Sequence, residues 1–456
     1  MHYGWTSPSL PILTKGEYII SMSAEEGSWL VIALLLGTIA GAIATGQIAN
    51  FIGRKTLIMW SALPLTAAWL LIAFGNTVEY LYAARVVAGL AVGMSLSVVP
   101  MYLGEISETG QRGTIASLCP VFIVAGLLLI NILGSFLPIN QAALVATCFP
   151  LALLSTFAWM PESPTFLLLK GKSEEAKESL VMLVGADEAL REFQRLQGEI
   201  KKYNEEEKKR NFTSLFRDKA NRKALIIAVG LRTVQQLCGT TVITFYCKTI
   251  FEESRDYLSP SISTILYFLL QLKVAIISSL IVDRTGRRTL LMISVSGTAI
   301  TLLTTGFYLH LKHQSFYNTD HIGFIPIVSM FLYVVFFNIG LRTIPLVMLG
   351  EIFSFNVKSA AVSFTAIYFN LLSIAITKFF YFTLEYVGMH VAFYTFSFFC
   401  VAGLCFIYTV IPETKGKTLQ EIQRHLAGEE ITQSRKTEPV VHQSIKFIKE
   451  CNLPHQ

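Results

Sequence analysis

Long apolar runs alternate with short polar islands along this chain. Runs near 29–49, 56–74, 80–104, 114–136, 142–160, 224–250, 261–282, 289–311, 323–350, 359–386 and 391–411 each predict a membrane-crossing helix. About 20 apolar residues cover roughly 30 Å of hydrocarbon. These spans fall into two groups around a polar segment, 161–222. A shorter apolar stretch, Tyr3-Gly4-Trp5-Thr6-Ser7-Pro8-Ser9-Leu10-Pro11-Ile12-Leu13, precedes them. It has no charged n-region or cleavage site, so it is not read as a signal peptide. It reads as the outer half of a truncated first helix, with Trp5 and Pro8 near the outer boundary. The expectation is that Gly37-x3-Gly41 and Gly89-x3-Gly93 lie uncovered beside it, and that the natural product is longer by roughly 20–30 residues.

The polar islands repeat. Gly53-Arg54-Lys55 returns as Gly286-Arg287-Arg288, and Leu103-Gly104-Glu105-Ile106 as Leu349-Gly350-Glu351-Ile352. Pro161-Glu162-Ser163 returns as Pro412-Glu413-Thr414, and basic Arg112 and Lys358 follow the two repeated glutamates. The same islands in the same order within two apolar halves predict a duplicated membrane bundle of the kind secondary transporters use. The division expected is an N-terminal bundle over 1–160, a linker with amphipathic helices over 161–222, a C-terminal bundle over 223–411 and a tail over 412–456. Residues 172–209 mix Glu and Lys at helical spacing, with i,i+4 support. A short helix is expected from Thr418 to Leu426, with disorder after it.

Composition agrees with this pattern. Only 15% of residues are charged and 53% are hydrophobic, with a mean hydropathy of +0.53; soluble domains carry about a quarter charged residues. The net charge of +6 matters through its placement. Arg54, Lys55, Arg112, Arg284, Arg287, Arg288 and Lys358 alternate onto the side of the long linker. The positive-inside rule makes that side, and the C-terminus, cytoplasmic. This reading sets aside a nucleic-acid partner. None of the seven cysteines falls in an outward loop or in zinc spacing, so neither a disulfide framework nor a metal site is expected. Asn211-Phe212-Thr213 has the glycosylation pattern but lies on the cytoplasmic side, where it goes unused. Gly171-Lys172-Ser173 and Gly416-Lys417-Thr418 end like phosphate loops, but Phe166 and Ile411 replace the required earlier glycine. An enzyme or ATP-driven pump is therefore not expected, and neither is a cofactor.

The repeated islands can form latches. An arginine fork on one helix end and a glutamate on another pair bidentately. Making and breaking such pairs biases one open state against the other. Arg54, Arg85, Glu105, Arg112, Glu162, Asp283, Arg287, Arg288, Glu351, Lys358 and Glu413 are the latch candidates. The pairings expected are Glu105 with Arg54 and Glu351 with Arg287 or Arg288.

The same residues resemble the sugar porter family of the major facilitator superfamily. The resemblance runs through Gly53-Arg54-Lys55, Arg85-x3-Gly89, Tyr102-Leu103-x-Glu105, Arg112-Gly113, Pro161-Glu162-Ser163-Pro164, Gln235-Gln236-x2-Gly239, Asp283-Arg284-x-Gly286-Arg287-Arg288 and Pro412-Glu413-Thr414-Lys415-Gly416-Lys417-Thr418-Leu419. It implies an all-α major facilitator fold of two six-helix bundles that alternately exposes a central sugar site. It also implies that Gln235 and Gln236 contact solute, with Thr241, Phe245, Tyr246, Gln271, Leu346 and Asn370 at further cavity positions. Thr241, Gln271, Leu346 and Asn370 depart from the family's usual residues, as does Pro120. Pro120 and Thr377-Lys378-Phe379 are similar to insect facilitated trehalose transporters.

Lys273 and Arg342 stand about 15 and 13 Å along their helices from Asp283 and Glu351, near mid-membrane. Facing lipid, each charge costs about 2.5–3.5 kcal/mol or more. Arg342 is read either as a solute contact on the face of Leu346 or as a cap for carbonyls freed by Pro345. His310, His313, His321 and His390 are read as interfacial. The function expected is facilitative transport of a monosaccharide or trehalose by a plasma-membrane monomer. The alternatives are a transport-deficient or sensor-like homologue, or a carrier of an anionic solute. No unpaired mid-membrane acid is seen, which favours uniport.

Overall fold

Ser23 starts the first long helix with a reciprocal cap. Its Oγ accepts from the Glu26 N–H at 3.2 Å, and Glu26 Oε2 accepts from the Ser23 N–H at 2.7 Å. In the computed structural model, residues 1–107, 112–207, 214–281, 285–314, 320–353, 355–415, 417 and 419–427 are described. The first half holds α1 (Thr6–Thr14), α2 (Ala24–Ile52), α3 (Arg54–Phe74), α4 (Val78–Ile106), α5 (Arg112–Phe136) and α6 (Ile139–Phe157). The connecting segment holds α7 (Pro164–Leu169), α8 (Ser173–Val184), α9 (Ala186–Glu207) and α10 (Ser214–Arg217). The second half begins with α11 (Lys219–Leu237), α12 (Thr240–Phe245), α13 (Cys247–Glu252), α14 (Pro260–Ile281) and α15 (Arg287–His313). It ends with α16 (Ile325–Ile339), α17 (Ile344–Ile352), α18 (Phe355–Phe382), α19 (Met389–Val410) and the short α20 (Leu419–Ala427). Among the described residues, ten helices are long and apolar enough to cross a membrane.

Two expected spans are interrupted. The run 224–250 is three helices, because Gly239 takes a left-handed conformation at φ +80° and stops α11. A Cβ there would also lie 2.7 Å from the Phe396 ring. The run 323–350 breaks between α16 and α17. Pro345 has no N–H to offer the Leu341 carbonyl. The exposed backbone is met by side chains: Gln235 Nε2 donates to Leu341 O at 2.8 Å and to Arg342 O at 3.2 Å. Ser294 Oγ donates to Phe336 O and Ser278 Oγ to Asn338 O, both at 2.7 Å. Irregular backbone at membrane depth needs such partners. Arg342 therefore does not cap the carbonyl freed by Pro345, and the break removes the helical register that was to put it on the face of Leu346.

The glycines expected to lie uncovered do the opposite. Gly37 and Gly41 of α2 meet Gly89 and Gly93 of α4 across a close helix contact. A Cβ on Gly41 would stand 2.0 Å from the Leu90 carbonyl oxygen, and one on Gly89 2.2 Å from that of Leu34. Backbone-to-backbone approach of this kind is how helices associate without a hydrophobic drive from lipid. Trp5 is 1% exposed and packs against Arg85.

Helices α7, α8 and α9 close a small apolar core of Phe166, Leu167, Ala176, Leu180, Ala189, Phe193 and Leu196. Their ion pairs, Lys172–Glu175, Lys177–Glu174 and Arg195–Glu192, run i,i+3 rather than i,i+4. The halves touch through α5 with α14, α2 with α18, and α1 with α12 and α13. The short tail helix forms one residue beyond its expected place. Asn211 and residues 428–456 lie outside the described residues.

Gly41→Ala should destabilise the protein by about 1–3 kcal/mol through overpacking. Gly46→Ala, on the same helix with open space around it, should be neutral or stabilising, as alanine is in a helix. Thermal unfolding of both variants in detergent checks the contrast. Equal effects would rule out the interlock.

Candidate functional site

Three groups of side chains join elements that the sequence keeps far apart. The first lies on the face formed by the basic loops. Glu162, after α6, reaches the start of α3: its Oε1 accepts from the Arg54 and Lys55 N–H groups, both at 2.9 Å. Glu413, after α19, does the same to α15, accepting from Arg287 N–H at 2.9 Å and Arg288 N–H at 3.1 Å. A helix start leaves its first N–H groups unpaired and carries partial positive charge, so a carboxylate fits it. The glycines of the repeated motif make the room. A Cβ on Gly53 would lie 2.4 Å from Glu162 Oε2, and one on Gly286 2.6 Å from Glu413 Oε2.

The arginine side chains then turn to the other repeated glutamate. Arg54 Nε lies 3.0 Å from Glu105 Oε2, and Arg287 Nη2 lies 3.2 Å from Glu351 Oε1. Ser163 Oγ donates to Glu105, and Thr414 Oγ1 donates to Glu351 at 2.6 Å. Arg54 is 4% exposed and also donates to Ala49 O at 3.1 Å. Ser179 of α8 donates to the Glu162 carbonyl at 2.7 Å, which ties the connecting segment to this cluster. Arg288 turns away, its guanidinium on the Tyr408 carbonyl and ring. Asp283 lies outside the described residues, as do the side chains of Arg112 and Lys358. Burial pushes the Glu413 carboxyl up, but N–H donors from Lys415, Arg287, Arg288 and Thr414 outweigh it and hold the group below the usual glutamate value.

Arg85 sits apart from the two carboxylate–arginine clusters. It is fully buried in α4, donating to the His2 carbonyl and to Thr6 Oγ1, each at 2.8 Å, with Trp5 beneath it at 5.2 Å. Its partners are neutral, and they come from the short first segment.

The second group is inside the second half. Gln235 is 5% exposed and already occupied: Arg232 Nη1 donates to its Oε1 at 2.9 Å while its Nε2 holds the α16–α17 break. Gln236 Nε2 donates to Thr241 Oγ1 at 2.5 Å and Ser373 Oγ at 2.6 Å. Its Oε1, the Gln271 Oε1 and the Tyr246 hydroxyl are buried with no partner. Asn370 donates to the Ala366 carbonyl at 2.9 Å. Phe245 is buried and stacks on Tyr3 at 5.6 Å, while Leu346 and Lys273 are exposed. Arg232 and Ser373 were missed. Arg232 could have been found, since it precedes Gln235 by one helical turn; Ser373 reaches Gln236 only through the fold.

The third group closes the halves on the face opposite the latches. Lys378 of α18 donates to Ser28 Oγ at 2.9 Å, with its ammonium 4.1 Å from the centre of the Trp29 ring. Lys15 pairs with Glu252 at 2.8 Å, and Tyr3 of the first half stacks on Phe245 of the second at 5.6 Å. His310, His313 and His390 cluster near the same end, with ring centroids about 5 Å apart.

Glu105→Gln should destabilise the folded protein more than Glu351→Gln, because Arg54 is the drier arginine. Expected losses are about 3–5 kcal/mol for the first and about 1.5–3 for the second, read from unfolding in detergent. A larger loss from Glu351→Gln would contradict this ranking. The Glu413 contribution has a defined pH window. Its folded pKa is depressed, so its stabilisation is complete above the unfolded value of about 4.3 and is lost as pH falls through the lower folded value. The melting difference between the parent and Glu413→Gln should stay constant from pH 7 to 5 and shrink in stronger acid. A difference that already shrinks near pH 6 would overturn the cap assignment.

Comparison with known proteins agrees with this architecture. The family model described as "Sugar (and other) transporter" matches residues 13–426. A facilitated trehalose transporter of Polypedilum vanderplanki is 32% identical over 93% of this chain and 84% of that protein. One of Bombyx mori is 31% identical over 93% and 83%. Among solved structures, the inward-open xylose transporter XylE from E. coli superposes with a TM-score of 0.76, covering 93% of this chain and 95% of its own at 20% identity. The fold is that of the major facilitator transporters. This chain, with its repeated carboxylate–arginine clusters and broken helices, is a multi-pass membrane protein and belongs to the sugar transporter family.

Proposed function

We propose that this chain moves a sugar across the plasma membrane by alternating access, as a uniporter. The basic face, residues 161–222 and the tail are cytoplasmic in this reading. The observation that carries it is the arrangement of contacts on the two faces. Each half has its own carboxylate–arginine cluster on one face, while Lys378, Lys15 and the Tyr3–Phe245 stack join the halves on the other. Two halves joined at one end can open at the other. Releasing the outer contacts while the basic face closes exchanges the accessible side. The names of the relatives, trehalose and xylose transporters, support a sugar as the solute.

Uniport is supported by Arg85. It is held by a backbone carbonyl and a threonine hydroxyl, with no carboxylate paired to it among the described residues. The latch role of Arg54, Glu105, Glu162, Arg287, Glu351 and Glu413 belongs to the same proposal.

The test is counterflow of labelled sugars into vesicles containing the purified chain. Exchange should occur with no dependence on an imposed pH gradient. Gln236→Leu should weaken apparent affinity by about fivefold, the loss of one hydrogen bond of roughly 1 kcal/mol. Absence of exchange for every sugar tried would favour a sensor-like protein, and acceleration by a proton gradient would exclude uniport. Lys378→Ala should loosen the opposite face, raising thiol labelling at a cysteine placed at Ser28. Unchanged labelling would remove Lys378 from the closure.

A further inference from the structure

The second half carries two arginines away from its helix ends, Arg232 buried and Arg342 half-buried, and no acid beside them. Arg232 is 8% exposed and lies about 20 Å along α11 from Lys219, deep in the membrane. Arg342 sits in the break between α16 and α17. Gln235 links the two positions: Arg232 Nη1 donates to its Oε1, and its Nε2 donates to the Arg342 backbone carbonyl. Between Lys219 and Val410 the acids are Glu252, Glu253, Asp256, Asp283, Asp320, Glu351 and Glu385, all at or beyond helix ends in the sequence. No carboxylate therefore compensates these cations at depth.

Their structural alternatives are taken by others. The carbonyls at the helix break are met by Gln235, Ser278 and Ser294. The Arg342 guanidinium has no hydrogen bond or ion pair among the described residues. Arg232 Nε is buried with no partner, its guanidinium resting 5.2 Å from the centre of the Phe369 ring. An isolated buried cation is among the most expensive groups a membrane protein can hold, and such groups mark solute paths. The same interior leaves two acceptors unfilled, Gln236 Oε1 and Gln271 Oε1. Arg232 and Gln236 stand four residues apart on α11, one helical turn, and a cationic donor with amide acceptors in one interior matches a molecule carrying one negative charge and several hydroxyls.

We propose that the second half selects a sugar bearing a carboxylate, a hexuronate, through Arg232 and Arg342, with its hydroxyls donating to Gln236 and Gln271. A guanidinium presents two parallel donors that fit the two oxygens of a carboxylate. This rests on the sugar-transport reading and names its solute class.

The full chain, purified and reconstituted, decides it. D-glucuronate should raise the melting temperature at lower concentration than D-glucose, and its uptake should carry current. Arg232→Gln and Arg342→Gln should each lower the ratio of glucuronate to glucose affinity by about tenfold or more. Arg232→Lys should keep most of the preference. A purely structural arginine would move both affinities together, and that result overturns the proposal. Tighter binding of glucose than glucuronate by the unmutated chain overturns it without any variant. Tighter binding of glucose 6-phosphate than glucuronate overturns the carboxylate assignment. If glucose is exchanged and glucuronate is not, transport of sugar stands and this inference alone falls. If neither is exchanged or bound, both fall.

Discussion

A carboxylate held against the start of a helix organises this structure. Glu162 and Glu413 each accept two backbone N–H groups that helices α3 and α15 cannot use themselves. Everything else in the two clusters follows from that seat. It fixes where the chain after α6 and α19 crosses back, and so where Ser163 and Thr414 point. Those hydroxyls orient Glu105 and Glu351, which in turn meet Arg54 and Arg287. A lone arginine–glutamate pair near water is worth little. Fixed by a shared backbone seat and partly removed from water, it becomes a directional contact.

Much of this was legible in the sequence because duplication writes the same constraint twice. Gly53 and Gly286, Glu105 and Glu351, and Glu162 and Glu413 stand in matching places, so chance similarity is a poor explanation. The membrane spans were legible because apolar length is read one residue at a time. What local reading could not supply was backbone interruption. Apolar content at 224–250 and 323–350 looks continuous, and only the partner side chains show that a helix can stop there. The role of Gln235 was obscured in the same way. Its amide looks free in the sequence, yet the fold gives it the carbonyl that Pro345 leaves behind. The seat of Arg85 was not legible because its partners, His2 and Thr6, belong to a segment with no polar pattern of its own.

The two halves repeat in outline but differ in their interiors. The first packs glycine against glycine, and its buried Arg85 donates to His2 O and Thr6 Oγ1 while its Nε stays unpartnered. The second holds amides, two arginines and two helix breaks. The first half leaves Arg85 Nε and Asn131 Oδ1 buried without a partner, while the second leaves the amide acceptors Gln236 Oε1 and Gln271 Oε1.

The glycine contact between α2 and α4 has a mechanical consequence. With backbones touching at Gly41 and Leu90, these helices have no side-chain layer that can compress or change rotamer between them. They behave as one stiff plate. The second half has hinges instead, at Gly239 and at the residues before Ile344. Compliance is thus distributed unevenly: deformation under load concentrates in the half that carries the amides. The first half serves as the anvil against which that half flexes.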